Sequence, residues 1–521
     1  MLEGVPGKPR CGLPVDCTTA LPQQASVSPT TLVDEAVSII RGFAEQAQER
    51  EQPVIRLRTP EQLYEVFDSA GAPLPLSPGQ APLQAPALLS ALRQTLRYSA
   101  NTSHPLFFNQ LYARPDPVAL VGEWAASAAH TNVHTYEVAP AFTLIEREVL
   151  ARMARCVGWD SPPDGHDGIF VPGGSIANLY GLLLARHRAD PAARRRGAHG
   201  GPRLVAFASE QAHYSVAKAV AVAGVGLDNL ARVPCDERGR MRPDALAAAM
   251  DRAAADGAVP FLVCATAGTT VAGAFDDVGA VADVCARHGA WLHVDGSWGA
   301  SALLSRRHRA LLSDIARADS LTWSPHKMLG MPMQCSAFLT RHAGALAACN
   351  AEGANYLFQH DKLHAAEDLG DKTIQCGRRA DAFKLWLAWK AIGDAGWEQR
   401  VDRGFALAEY LERRVRREER ETGRFVLAVP RSGANVCFWY VPPGLRPFDV
   451  RSAGAEARAR LAGVAPALKR RMQEGGDALV GYQPLGELPA FFRMVFASGW
   501  NVDESDLDAL LERMDAIGRD L

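Results

Sequence analysis

Between residues 168 and 340 the chain alternates short apolar runs with longer segments of helical spacing, and few folds accept that rhythm. The runs fall at 168–171, 204–208, 260–265, 290–294 and 335–340, with helical segments at 175–187, 213–224, 243–256 and 277–288. Strands that take turns with helices need crossover connections, and crossovers cover both faces of a mostly parallel sheet. The predicted class is therefore α/β. In such sheets ligands sit beyond the carboxyl ends of the strands. Ser175, His213, Asp295 and Lys327 each fall at, or just after, the end of a predicted strand.

The rest of the chain divides around this core. A length of 521 residues suits one large domain with a smaller one appended. Residues 1–29 are rich in Pro, Gly, Gln and Thr without periodicity and read as a mobile tail. Residues 30–117 read as an N-terminal helical segment suited to dimerisation, with helices at 30–50 and 87–98 and a proline-broken loop at 73–86. Residues 118–385 form the large ligand-binding domain. It opens with a helix at 118–130 and another marked by Ile145, Val149, Leu150, Met153 and Val157, which Gly158 ends. Residues 386–521 read as a small α+β domain. Its elements are a long helix through Phe405, strands near 424–429 and 435–441, a helix near 455–474, and a last helix capped by Asp503 or Ser505.

Charge and cysteine usage narrow the function. A net charge of −2 gives no bulk attraction to nucleic acid or to an anionic membrane. No apolar run reaches the roughly 18 residues of a membrane span. The ten cysteines form no C-x-x-C pair and several lie in apolar runs. Buried reduced thiols are expected rather than a disulfide framework or a metal site. With no apolar signal core near the N-terminus, a cytoplasmic location is expected.

The stretch Ser324-Pro-His-Lys-Met-Leu-Gly330 carries the chemistry. Residues 319–323 read as a strand that Pro325 stops. A lysine amine adds to an aldehyde only when neutral, and a desolvated pocket lowers its pKa. Lys327 is therefore read as the residue that holds pyridoxal 5′-phosphate as an internal aldimine. Ser324 and His326 can donate hydrogen bonds to the phosphate. Gly173-Gly174-Ser175 lies between a strand and a helix, where glycine lets the backbone approach and the helix N-terminus favours phosphate. Asp295 can keep the pyridine nitrogen protonated, which deepens the electron sink. His213 can stack on the ring, and Thr270 can reach its phenolic edge. Taken singly, a Lys in a turn, an Asp at a βα turn or a Gly-Gly-Ser is more often structural. Their joint order is what gives them weight.

With these motifs the chain resembles the group II pyridoxal-phosphate-dependent decarboxylases, most closely the glutamate and cysteine sulfinate decarboxylases of animals. The resemblance runs from about His104 to Leu521 through HPLFFNQL, TYEVAPAF, GIFVPGGSIANLYG, AGTTVAGAFDD, WLHVDGSWG, SPHKMLGMPMQCSA, NYLFQHDK, IQCGRRAD, NVCFWYVPP, VGYQP and FFRMV. It implies the type I pyridoxal-phosphate fold and a homodimer with its active site at the subunit interface. Lys327, His213 and Tyr356 are the implied catalytic residues. Asp295, Gly174, Ser175, Thr270, Ser297, Ser324 and His326 are the implied cofactor contacts. Gln110, Tyr112, Asn132, His134 and Arg493 are the implied substrate contacts, with Arg493 taking a carboxylate bidentately. Tyr356 lies on a loop of about 352–371 and would return a proton to Cα after CO₂ leaves a quinonoid. The implied reaction is α-decarboxylation of a small acidic L-amino acid: cysteine sulfinate, aspartate or glutamate.

Five positions depart from the family pattern. Ser324 replaces an Asn. Gly296-Ser297 replaces Ala-Ala after Asp295, which is expected to loosen the packing beside the ring. His134 replaces an aromatic residue. Tyr112 replaces a small one and is expected to shorten the pocket, which favours cysteine sulfinate or aspartate over glutamate. Two alternatives stand beside this reading: a relative with transaminase or oxidative chemistry, and a non-catalytic homologue that binds the cofactor.

Overall fold

The structure, a computed structural model, describes residues 29–159, 165–497 and 499–521. The expected tail at 1–29 lies outside the described residues, Pro29 excepted. The chain divides into two compact units. The smaller comprises the chain up to Gln46 together with Arg58–Ser99. Its helices are Pro29–Gln46, Pro60–Ser69 and Ala85–Tyr98, and the third packs on both others. The second of these has no counterpart in the sequence reading. Thr59 opens it with a reciprocal cap: its hydroxyl accepts from Gln62 N–H at 3.3 Å, and Thr59 N–H donates to Gln62 Oε1 at 3.1 Å.

The larger unit comprises Ala47–Leu57 and Ala100–Leu521 and carries two sheets. Its strands in chain order are β1 (Phe107–Phe108), β2 (Asp167–Val171), β3 (Leu204–Ser209), β4 (Leu230–Val233), β5 (Val259–Thr266), β6 (Trp291–Asp295), β7 (Ser320–Trp323), β8 (Ser336–Thr340), β9 (Phe425–Leu427), β10 (Asn435–Tyr440), β11 (Leu479–Leu485) and β12 (Leu488–Val495). The seven-stranded sheet runs β2-β8-β7-β6-β5-β3-β4, and β8 alone is antiparallel to its neighbours. The α/β expectation holds. β3, β6, β7 and β8 are buried along their whole length, which is why β3, β6 and β8 read as mainly apolar runs; β7, Ser-Leu-Thr-Trp, does not. β4 is not among the expected strands. It is a four-residue edge strand with one buried position and Arg232 exposed, so it leaves no apolar signature.

The five-stranded sheet runs β1-β11-β12-β10-β9, parallel at β1–β11 and antiparallel elsewhere. The β11–β12 hairpin is likewise absent from the sequence reading. Gly481 and Pro484 interrupt β11 and lower its strand propensity. The helix Asp381–Glu421 is two helices joined at Gly393, whose φ of 63° and ψ of −177° no helix contains. Its first part packs on the helix Pro117–Ala129 so closely that a Cβ at Gly122 would lie 2.8 Å from Lys384 Cα. Among the described residues eight cysteines are free, and none of the helices is long and apolar enough to cross a membrane. Cys11 and Cys17 lie outside the described residues.

Candidate active site

The carboxyl edge of the large sheet holds a cavity of about 190 Å³. Asp295, the last residue of β6, lies in its wall. Lys327 follows β7, His213 follows β3, and Gly174 and Ser175 open the helix Gly174–Ala189 after β2. Thr270, Ser297 and His326 complete the expected set on the wall. The fold thus brings together eight of the nine residues read as cofactor contacts. Thr266, Gly268 and Trp298 also line the cavity without having been expected there. Of these, Trp298 is the most legible, because it lies in the same WLHVDGSWG stretch as Asp295.

Ser324 is the ninth, and it is not on the wall. Its hydroxyl is buried and shares a 2.8 Å hydrogen bond with the Ser336 hydroxyl. It acts from behind: a Cβ at Gly174 would meet Ser297 Oγ at 2.5 Å and Ser324 Oγ at 3.2 Å. Only glycine fits there, and the close approach puts the first turn of a helix, with its unsatisfied N–H groups, at the cavity edge. The expected loosening after Asp295 is overturned as well. A Cβ at Gly296 would lie 2.8 Å from both Ala300 Cβ and Leu321 Cδ1, so its neighbours have closed over the missing methyl.

The electrostatics suit a reactive amine. Burial lowers the pKa of Lys327, Arg493 lowers it further, and Asp295 opposes both. Burial by itself would raise the Asp295 carboxyl, but Lys327, Ser297 and Asn178 outweigh it and the net shift is downward. Two donors hold that carboxylate: Asn178 Nδ2 at 2.8 Å and the Ser297 backbone N–H at 3.0 Å. His213 is lowered, chiefly by burial, with Asp295 opposing.

His326 differs from expectation. Burial takes it down to about 4, so the ring is neutral near pH 7. Its Nδ1–H donates to the Cys335 carbonyl at 2.7 Å. A neutral imidazole has one N–H, so Nε2 donates to a phosphate only when the ring takes up a second proton.

Arg493, on β12 of the second sheet, is not on the cavity wall but is tied to the wall residue Thr270 and is close enough to lower the Lys327 pKa. Nη1 donates to the Thr270 carbonyl at 2.8 Å and Nη2 to the Asn109 carbonyl at 2.9 Å. Its Nε is buried and without a partner among the described residues. Lys469 holds the same segment by donating to Asn109 Oδ1 at 2.6 Å.

The remaining substrate and loop residues do not line this cavity. Tyr112 packs with Phe107, Val54 and Leu479, its ring centroid 6.3 Å from that of Phe107, so the reason for a shortened pocket is gone. Gln110 is exposed. Asn132 Oδ1 accepts from Arg378 N–H at 2.8 Å, and the Asn132 carbonyl lies 3.2 Å from His134 Nδ1. Tyr356 is 84% exposed.

A buried lysine opposed by a carboxylate, beside a glycine-opened helix N-terminus, defines a pyridoxal-phosphate site on an α/β sheet. The donor set fits the cofactor at both ends: an anion for the ring nitrogen, and a helix N-terminus with Ser175 for the phosphate. The comparisons agree. Residues 70–441 match the pyridoxal-dependent decarboxylase conserved domain. The chain is 47% identical over 436 residues to the acidic amino acid decarboxylase GADL1 of Bos taurus, covering 83% of this chain and 81% of that one. It is 46% identical over 473 residues to the cysteine sulfinic acid decarboxylase of Homo sapiens, covering 90% and 92%. The crystal structure of mouse CSAD in apo form superposes with a TM-score of 0.88 at 42% identity, covering 94% of this chain and 99% of that one. Oryza sativa TDC with PLP and tryptamine gives 0.81 at 27% identity, covering 96% and 99%. The chain belongs to the pyridoxal-dependent decarboxylase family. It is an amino-acid decarboxylase with pyridoxal phosphate as its cofactor.

Proposed function

We propose that the substrate is a small acidic L-amino acid, cysteine sulfinate, aspartate or glutamate, which loses its α-carboxyl group as CO₂. The observation that carries this is Arg493: a buried guanidinium, pinned by two backbone carbonyls beside the Lys327 cavity, with its Nε–H unpartnered among the described residues. A buried donor without a partner is costly, and a carboxylate relieves it. The named activities of the two curated relatives support the acidic class.

When bound, pyridoxal phosphate supplies an electron sink for the charge left at Cα. Around it, Lys327 offers a neutral amine for covalent attachment. Asp295 holds a proton on the ring nitrogen. Gly174 and Ser175 take the phosphate, His326 joining only when its ring is protonated, while His213 and Thr270 bracket the ring. Arg493 orients the substrate carboxylate. Tyr356 returns a proton to Cα, and the loop around it keeps water out.

Tyr356, Asn132 and His134 lie away from the cavity of their own chain. That supports a homodimer in which the loop serves the partner's cavity, with the helical segment at 30–117 contributing to the contact. Buried unpaired thiols such as Cys264 and Cys437 support a reducing location such as the cytoplasm.

The test is CO₂ release measured side by side on cysteine sulfinate, aspartate and glutamate with protein reconstituted in pyridoxal phosphate. Release from at least one, with the free amine formed in equal amount, is expected. Turnover confined to neutral or aromatic amino acids would overturn the acidic class.

A further inference from the structure

A buried hydrogen-bond relay runs behind the cavity, and its hub is Asn178. Asn178 is 4% exposed on the inward face of the helix Gly174–Ala189. Its side-chain N–H groups donate to Asp295 Oδ2 at 2.8 Å and Ser215 Oγ at 2.9 Å. Its carbonyl oxygen receives the Thr322 hydroxyl at 2.8 Å and lies 3.0 Å from His293 Nε2. All four hydrogen-bonding positions of the amide are used, so it cannot flip without breaking every one.

Around His293 the bond directions follow from groups that have no choice. Trp291 Nε1–H can only donate, and it reaches Ser320 Oγ at 2.8 Å. The Asn178 oxygen can only accept and lies 3.0 Å from His293 Nε2, so Nδ1 receives the Ser320 hydroxyl at 2.8 Å. His293 therefore carries its proton on Nε2, facing the Asn178 oxygen. At the other end, the Ser215 backbone N–H points at His213 Nδ1 from 3.3 Å, a long contact that favours an accepting nitrogen without fixing it. The Ser215 hydroxyl, already receiving from Asn178, donates to the same nitrogen at 2.8 Å. His213 is thus left with its proton on Nε2.

We propose that Asn178 is a positioning residue whose amide sets both the orientation of the Asp295 carboxylate and, through the Ser215 hydroxyl, the tautomer of His213. The two groups expected at the ring nitrogen and the ring face are then governed by one side chain that touches neither substrate nor cofactor. Its consequence for the cofactor rests on the function proposed above; the tautomer of His213 does not.

The charged and titratable groups facing this network are Asp295, Lys327, Lys218, His213 and His293. Asn178→Asp keeps the shape and removes both donors. It sets a second carboxylate against Asp295, and such a pair shares one proton. At low pH the shared proton restores a donor; as pH rises it is lost. The Ser215 hydroxyl also turns to the new carboxylate and leaves His213.

Two measurements test this. Nitrogen-15 NMR of the apoprotein reads the tautomer directly: the Nε2–H form of His213 is expected in the natural protein, and a mixed population in Asn178→Asp and Ser215→Ala. Titration with pyridoxal phosphate across pH 6–9 reads the carboxylate. Asn178→Asp is expected to bind about tenfold more weakly at the alkaline end and to recover as pH falls, while the natural protein does not show this trend. A merely structural role would lower thermal stability and leave both readouts unmoved, and that outcome overturns the proposal. If Asn178→Asp does not fold, Ser215→Ala carries the tautomer test alone, and an unchanged His213 then overturns it. A natural protein that takes no cofactor on Lys327 sinks the proposed function instead, leaving the tautomer result standing.

Discussion

The wall of the Lys327 cavity and the loop at 352–371, which the proposed function assigns to one reaction, are held by opposite means. The wall is built from strand ends and a helix N-terminus, and Asp295, Asn178 and Ser297 are buried and hydrogen-bonded to one another. The loop is tied down at its ends and through Asp368, while its tip is open. Asp371 receives Glu352 N–H at 3.0 Å, Asp368 receives Tyr136 N–H at 2.8 Å, and Lys362 pairs with Asp368 at 2.7 Å. Its Tyr356 and Leu363 are each 84% exposed. Groups that must hold a charge distribution through every turnover are locked. Under the proposed function, the group that delivers one proton late, Tyr356, is carried on the more exposed segment. Substitutions in the wall should therefore disturb binding, stability and chemistry together, whereas substitutions in the loop should disturb chemistry alone.

The sharpest contrast is between Lys327 and Tyr356. Lys327→Ala should lower decarboxylation by about a thousandfold or more and abolish borohydride fixation of the cofactor. Tyr356→Phe should lower amine formation by about a hundredfold. Its melting temperature should stay within about 1 °C of the natural value, because the side chain is exposed. A large drop in melting temperature for Tyr356→Phe would erase the distinction between wall and loop. Mixing the two inactive proteins tests where the loop works. Random exchange of subunits should restore about a quarter of the natural activity if the loop serves the partner's cavity, and none if it serves its own.

Next in size is the base on which the loop's neighbours stand. Arg378 and Glu146 form a fully buried pair, and Arg378 also donates to the Val133 carbonyl in the segment that carries Asn132 and His134. Arg378→Ala should destabilise the fold by about 3–5 kcal/mol, read by urea unfolding, because it strands a buried carboxylate. A loss below about 1 kcal/mol would show that water reaches Glu146.

The wall also carries a pH signature. Burial holds His293 and His326 down to about 4. Between there and the usual value near 6.5, the unfolded chain binds protons that the folded one refuses. Stability is therefore whole above about pH 6.5 and falls as pH drops toward 4, by an amount on the order of a few kcal/mol. Urea midpoints of the apoprotein at pH 7.5 and 5.0 check this, and equal midpoints would mean that neither ring is buried neutral. Smallest of all, Glu367→Gln removes an exposed partner of Arg147 on the loop and should change stability by less than about 1 kcal/mol.

Much of the site was legible because it lies in short continuous stretches. His213 and Asp295 sit beside buried strands whose apolar runs announce them, and Lys327 follows a short strand marked by Pro325, so pattern and chemistry coincided. Asn178 gave no such notice. It is a polar residue inside a helix, and only the strands packed against that helix supply its four partners. Tyr112 misled for the same reason: its identity suggested a pocket wall, but its ring found Phe107 and Leu479.

From sequence alone came the α/β class, the lysine and its carboxylate, and the family with its cofactor, since apolar periodicity and short motifs are local properties that a chain carries unfolded. The tertiary structure alone decided that Arg493, on a second sheet, bonds the carbonyl of the cavity-wall residue Thr270 and that Gly296 is tightly packed. It alone decided that the one N–H of neutral His326 is already committed to Cys335. Each of those depends on distances between residues far apart in the chain, and no local pattern encodes such a distance.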